Sequence, residues 1–291
     1  MPKFDLAFFS SRKVKNYDLQ LPRNPSTKIL KGAEPLELGN QYSNTALLMV
    51  HGFAGCPNNF ENLPYKLAEL DIFVKTILLP GHGTSPIDFE KVSVDILLES
   101  VIDNIINLKK LYKTVIVLGH SMGGALATLS YAKTNFDGLI LASPYYGITP
   151  NPKLLLPPEK WIQYLSPFVR WVYIPPEQQP ILRREVAEKI ISYHWIPSKA
   201  GLVAMEIAER AKRDAILAQI TCPTLIIHSK RDSVASPDAV SQVFEKIQSQ
   251  QKEVIWLENS DHVIFWDHER DLVSTKISEF ILNIKKEKSI E

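Results

Sequence analysis

Only two of the 291 residues are cysteine, Cys56 and Cys222. That is too few for a disulfide framework, so both read as free thiols in a reducing, cytoplasmic setting. Charge of one sign is also missing: 33 Lys+Arg face 32 Asp+Glu, a formal net charge of +1. Phosphate neutralisation dominates nucleic-acid affinity, so this balance excludes a dedicated nucleic-acid binder. No run approaches the ~18 apolar residues of a membrane span, and there is no internal repeat or low-complexity tract. The start, MPKFDLAFFSSRKVK, is a poor secretory leader, because Asp5 interrupts the Phe4 to Phe9 patch and the basic residues follow it. It reads as an N-terminal arm (1–25) packed on the body, with contact to a lipid surface as the alternative. What is present is 45% hydrophobic residues, enough apolar content to exclude a disordered chain and to bury a large core.

The apolar residues are arranged as short runs separated by longer segments of helical period. The runs are 46–50, 73–79, 114–119, 138–143, 224–229 and 253–258. Apolar on consecutive positions, they read as buried strands of a mainly parallel sheet in an α/β fold. Helices are expected over 59–70, 93–112, 123–133, 236–247 and 267–285. One stretch, 148–200, breaks the alternation: it holds nine of the 20 prolines and three of the five tryptophans. Proline at that density predicts short helices and loops rather than another sheet layer. Inserted after the fourth strand candidate, it would lie over the C-terminal edge of the sheet, where open α/β folds bind ligands.

Gly119-His120-Ser121-Met122-Gly123 matches G-x-S-x-G between a strand and a helix. Chance would supply only about 0.04 such pentapeptides in a chain of this composition. The turn is so tight that its flanks must be nearly free of side chain, leaving the serine hydroxyl exposed. Serine needs a base and a group to orient that base, in the order Ser, Asp or Glu, His. Asp232, just past the strand 224–229, fits the acid; Asp238 is its rival but falls in the first turn of a helix, where a carboxylate suits the dipole. His262, in the loop after the last strand, fits the base, with His268 the nearest competitor; His51 and His120 read as braces of turns. The oxyanion that acyl transfer builds would be met by the main-chain N–H of Met122 and of Phe53 in His51-Gly52-Phe53-Ala54-Gly55.

These residues resemble the α/β-hydrolase superfamily and, more narrowly, the bacterial carboxylesterase and monoacylglycerol lipase group. ILKGAEPLEL, LLMVHGFAG, LPGHGTSP, LGHSMGG, CPTLIIHSKRD and ENSDHVIFWDHERD each resemble a family block, in family order. The resemblance implies a triad of Ser121, Asp232 and His262, oxyanion donors at Phe53 and Met122, and a cap over 148–200 on a core of 1–147 and 201–291. DSVASP after the acid, where the family usually has Val-Val-Pro, and the proline-rich cap are departures that leave acyl-chain preference open. HGFAG rather than HGGG argues against the hormone-sensitive-lipase branch. Serine at 121 argues against dehalogenase and epoxide-hydrolase chemistry.

The expected activity is hydrolysis of small carboxylic esters, short- to medium-chain or monoacylglycerol, through an acyl-enzyme on Ser121. No cofactor or metal is called for. Thioester cleavage and acyl transfer use the same residues and stay open, as does a non-catalytic binding protein; the oligomeric state is not legible. Trp161, Tyr164, Phe168, Trp171, Tyr173, Tyr193 and Trp195 either line an acyl tunnel or glue the cap to the body. Residues 1–25 carry five basic and two acidic side chains, and 148–200 seven and four. Arg170, Arg183 and Arg184 are therefore candidates for attracting anionic head groups, against a plain role as solvated charges.

Overall fold

The computed structural model describes residues 3–4, 7–150 and 158–290, except for the side chains at 3–4, 7–10, 158, 161, 289 and 290. The segment 151–157 and the side chains of the Phe4 to Phe9 patch and of Trp161 thus lie outside the described residues.

Strand β1 (Lys3–Phe4) and helix α1 (Ala7–Gln20) come first. They are followed by β2 (Leu36–Gly39), β3 (Thr45–Val50), α2 (Leu63–Ala68), β4 (Phe73–Ile77), α3 (Pro86–Phe89), α4 (Val94–Leu111), β5 (Thr114–His120), α5 (Met122–Tyr131) and β6 (Gly138–Ala142). An excursion carries α6 (Pro158–Leu165), β7 (Trp171–Tyr173), β8 (Trp195–Pro197), α7 (Ser198–Ala211) and α8 (Asp214–Leu217). The chain returns through β9 (Thr224–Ser229), α9 (Pro237–Lys246), β10 (Lys252–Leu257) and α10 (Arg270–Ile290).

The main sheet has seven strands in the order β10-β9-β6-β5-β3-β4-β2, all parallel except β2, which runs antiparallel to β4. Its central strands are buried along their whole length because both faces are covered, and alternate residues enter different cores. Ala46, Leu48, Val50, Val115 and Val117 pack against α4, α5, α7 and α9. Leu47, Met49, Ile116 and Leu118 pack against α2 and α10. Helix α4 buries Val94, Leu97, Val101, Ile105 and Leu108, the three- and four-residue spacing of one helical stripe. Ser93 and Ser236 start α4 and α9 by accepting the N–H three residues on.

Two expectations need correction. The helix expected over 59–70 is broken into a 3₁₀ turn, Pro57–Phe60, and α2, because Glu61 takes φ 52° and each piece begins beside a proline. The excursion is not only helices and loops: β7 and β8 pair antiparallel, and β1 adds a third strand to β7. Trp171-Val172-Tyr173 and Trp195-Ile196 are aromatic and β-branched, and Pro197 closes the pairing opposite Trp171 instead of interrupting it. Val14 and Tyr17 of α1 pack on Trp171 and Trp195, so the arm rests on this small sheet. Cys56 and Cys222 are free and buried. Among the described residues no helix is long and apolar enough to cross a membrane.

Candidate active site

At the C-terminal end of β5 the chain reverses into α5 through Ser121, whose φ of 54° and ψ of −121° are sparsely populated for a residue with a side chain. The turn is held from several sides: Ser121 N–H donates to Ala142 O at 3.0 Å, and its carbonyl accepts from Tyr145 N–H at 3.0 Å. The two glycines of the motif are steric necessities. A Cβ on Gly119 would lie 2.3 Å from Gly123 O, and one on Gly123 would lie 2.2 Å from Val50 O. Gly52 lets its loop approach, since a Cβ there would sit 2.9 Å from that of Ser121.

Ser121 Oγ lies 2.8 Å from His262 Nε2, and His262 Nδ1 lies 2.8 Å from Asp232 Oδ2. The three residues come from the ends of β5, β9 and β10 and are buried. Asp232 Oδ1 accepts from Val234 N–H (2.9 Å) and Ala235 N–H (2.7 Å), so the carboxyl is held by its own loop. Burial pushes the Asp232 pKa up, but His262, His228 and the Ala235 N–H outweigh it and hold the group below its ordinary value. Burial likewise pulls His262 down, and Asp232 and Asp261 more than offset this, leaving it raised. His262 stands apart from His51, His82, His120, His194 and His228, which burial drives below the ordinary value. The rivals lie elsewhere: Asp238 is exposed in the first turn of α9, and His268 is exposed. His51 and His120 do brace backbone, His51 Nε2 accepting from Leu79 N–H at 3.0 Å and His120 Nε2 lying 3.3 Å from His262 O.

Met122 opens α5, where a main-chain N–H has no acceptor within its own helix. Phe53 borders the cavity over Ser121. This cavity, of about 280 Å³, is lined by Gly52, Phe53, Asn59, Gln179, Ile190 and Val263 among others. Phe53, Ile174 and Ile196 also wall a second cavity of about 330 Å³, otherwise lined by Ile162, Leu165, Val169, Val172 and Gly201. This chamber is almost wholly aliphatic, and among the described residues none of the aromatics of 148–200 lines it. Trp171 and Trp195 are buried as packing, Tyr193 is buried but lines the cavity over Ser121, and Tyr164 and Phe168 are exposed.

The three arginines are occupied within the fold. Arg170 forks onto Glu90 at 2.6 and 2.7 Å, Arg183 pairs with Glu185, and Arg184 donates to the carbonyls of Glu177 and Gln179. Sequence reasoning missed Asp261, Asp267, Asn59 and Ser233 around the site. Ser233 and Asp261 join the acid and histidine loops through two hydrogen bonds of 2.8 and 3.0 Å. Loop acids of this kind carry no distinctive spacing.

A mostly parallel sheet with this strand-serine-helix turn defines an α/β-hydrolase. More narrowly, residues 41–270 match the Hydrolase_4 family, described as serine aminopeptidase, S33, and the chain belongs to that family. It is 29% identical over 254 residues to a thermostable monoacylglycerol lipase of Bacillus sp. (strain H-257), covering 87% of this chain and 95% of that one. It is 23% identical over 244 residues to a carboxylesterase of Bacillus subtilis (strain 168), covering 81% and 92%. Among solved structures, one of the metagenome-derived lipolytic enzymes LipS and LipT superposes with a TM-score of 0.77 at 26% identity, covering 88% of this chain and 99% of that one. The chain is accordingly a hydrolase of the lipase and esterase kind.

Proposed function

We propose that the protein hydrolyses carboxylic esters of short- to medium-chain acids, monoacylglycerols included, with Ser121 as nucleophile, His262 as general base and Asp232 as the group that orients it. The observation that carries this reading is the continuous Ser121–His262–Asp232 relay, 2.8 Å at each step, on a serine held in a strained turn. Nδ1–H donates to Asp232, which leaves Nε2 free to take the Ser121 proton. The serine oxygen then attacks the ester carbonyl. Met122 and Phe53 N–H receive the oxyanion, each donor contributing about 2.7–4 kcal/mol to transition-state stabilisation. The imidazolium protonates the leaving alcohol, and water repeats the sequence to release the acid.

Residues 148–200 act as a cap in this reading, and the aliphatic chamber bounded by Phe53, Ile174 and Ile196 takes the acyl chain. Tyr164 and Phe168, exposed beside it, offer transient contact with a lipid surface. Two buried, unpaired cysteines suit a reducing cytoplasm. The test is a p-nitrophenyl ester series from acetate to palmitate with wild type and Ser121→Ala. The reading expects a medium-chain optimum in kcat/KM and no turnover above background in the variant; equal rates in the two proteins would end it.

A further inference from the structure

We infer that Asp267 is a positioning residue that fixes the His262 loop and one wall of the catalytic pocket as a single unit. Its carboxyl group is fully buried and accepts four backbone N–H groups. Oδ2 takes Asp261 at 2.7 Å and Leu182 at 2.9 Å; Oδ1 takes His268 at 3.0 Å and Arg183 at 3.1 Å. Asp261 directly precedes His262, His268 follows Asp267 itself, and the other two donors belong to the turn at 182–183. A carboxylate offers about four lone-pair sites, and here each has its donor.

Further contacts tie the same two segments. Val263 N–H donates to Pro180 O at 3.1 Å, Arg183 Nη1 donates to Trp266 O at 3.2 Å, and Ile181, Val186, Ala187 and Ile190 pack with Val263. Gln178, Gln179, Pro180 and Ile190 line the pocket over Ser121, and Val263 lines it from the histidine side. The wall therefore cannot move relative to His262 without stripping donors from a buried carboxyl, and such unmet groups are costly. Misplacing a reacting group by about 1 Å costs up to about 10²-fold in rate, so the bond set at Asp267 is placed to act on turnover rather than on substrate affinity.

The inference rests on His262 being the base, and His262→Ala run in parallel separates the two claims. The test is Asp267→Asn in the full chain, which keeps the shape of the side chain but turns an NH₂ toward two of the donors. With p-nitrophenyl acetate and octanoate, the expected result is a fall in kcat of about 10- to 100-fold for both esters with KM within about twofold. The downfield proton resonance of His262 Nδ1–H should shift or broaden in the same variant. Wild-type kcat with an unmoved resonance, or a change confined to KM, would overturn the positioning role while an inactive His262→Ala left the base intact. Full turnover in His262→Ala would instead remove the base reading itself. Should Asp267→Asn not fold, Arg183→Ala breaks only the bond to Trp266 O and the pair with Glu185. It is expected to lower kcat several-fold at constant KM, and unchanged kcat in that variant would contradict the inference.

Discussion

His262 Nδ1 stands 2.8 Å from Asp232 Oδ2, while the other oxygen of Asp232 is bound by the N–H groups of Val234 and Ala235. The carboxyl cannot swing away, so it selects the tautomer that presents a bare Nε2 to Ser121. Asp232→Asn keeps the shape but reverses that preference. By analogy with the serine-protease triad, kcat should fall by about 10⁴, with KM nearly unchanged. Asp238→Asn, on the exposed first turn of α9, should leave kcat within about twofold. Steady-state kinetics on one soluble ester decides this, and a loss below tenfold in Asp232→Asn would assign the acid elsewhere.

The two histidines of the last loop separate in the same way. His262→Ala removes the only imidazole in contact with Ser121 Oγ among the described residues and should abolish turnover. His268→Ala removes an exposed ring and should leave it near wild type. Turnover measured on the pair gives the reverse pattern if the base is His268.

With His262 as the proposed base, its raised pKa sets the expected pH dependence. Only the neutral imidazole can accept the serine proton, so the acid limb of kcat/KM should have its midpoint above 6.5, the ordinary histidine value. Asp232 and Asp261 hold it up against burial. A midpoint below 6.5 in a pH–rate profile would contradict this balance.

Stability should respond to acid with a definite sign. Burial lowers His82 and His228 to about 4 and His120 to about 3, so below pH 6.5 the unfolded chain takes up protons that the native state refuses. Stability present above 6.5 is thus lost as pH falls, by up to about 1.4 kcal/mol per pH unit for each ring. His51 and His194 are lowered too, so His262, with the opposite shift, is one ring against five. Melting temperature should fall steadily from pH 7 to pH 5, and a flat or rising profile would refute the assignment.

Gly201 lies in α7 with nothing within 4 Å of where a Cβ would be, and it borders the aliphatic chamber. Gly201→Ala should stabilise the helix by about 0.8–1.0 kcal/mol, read as a higher melting temperature. Gly201→Phe should fill the chamber and lower kcat/KM for an octanoate ester about tenfold or more, while sparing the acetate. Equal effects on both esters would place the acyl chain outside the chamber.

How much of this was legible in the sequence follows from what each part needs. Strands β3, β5, β6 and β9 are buried on both faces, so their apolar runs mark them directly. Edge strand β2, four residues of alternating exposure, has no such run to mark it. The turn at Ser121 is readable because steric closeness at Gly119 and Gly123 leaves no other residue type. The bonds made by Asp267 were not readable, since backbone donors some 80 residues away leave no spacing signal. Tryptophans in the 148–200 segment were ambiguous for a similar reason: a ring that glues a small sheet and a ring that lines a tunnel have the same composition.

The central claim is that Ser121 is the activated nucleophile. Its most direct test is reaction with a fluorophosphonate probe followed by peptide mapping in a mass spectrometer. The account predicts one stoichiometric adduct, on Ser121, that disappears in Ser121→Ala and is strongly slowed in His262→Ala. An unlabelled protein that still hydrolyses esters, or an adduct on any other residue, would contradict it.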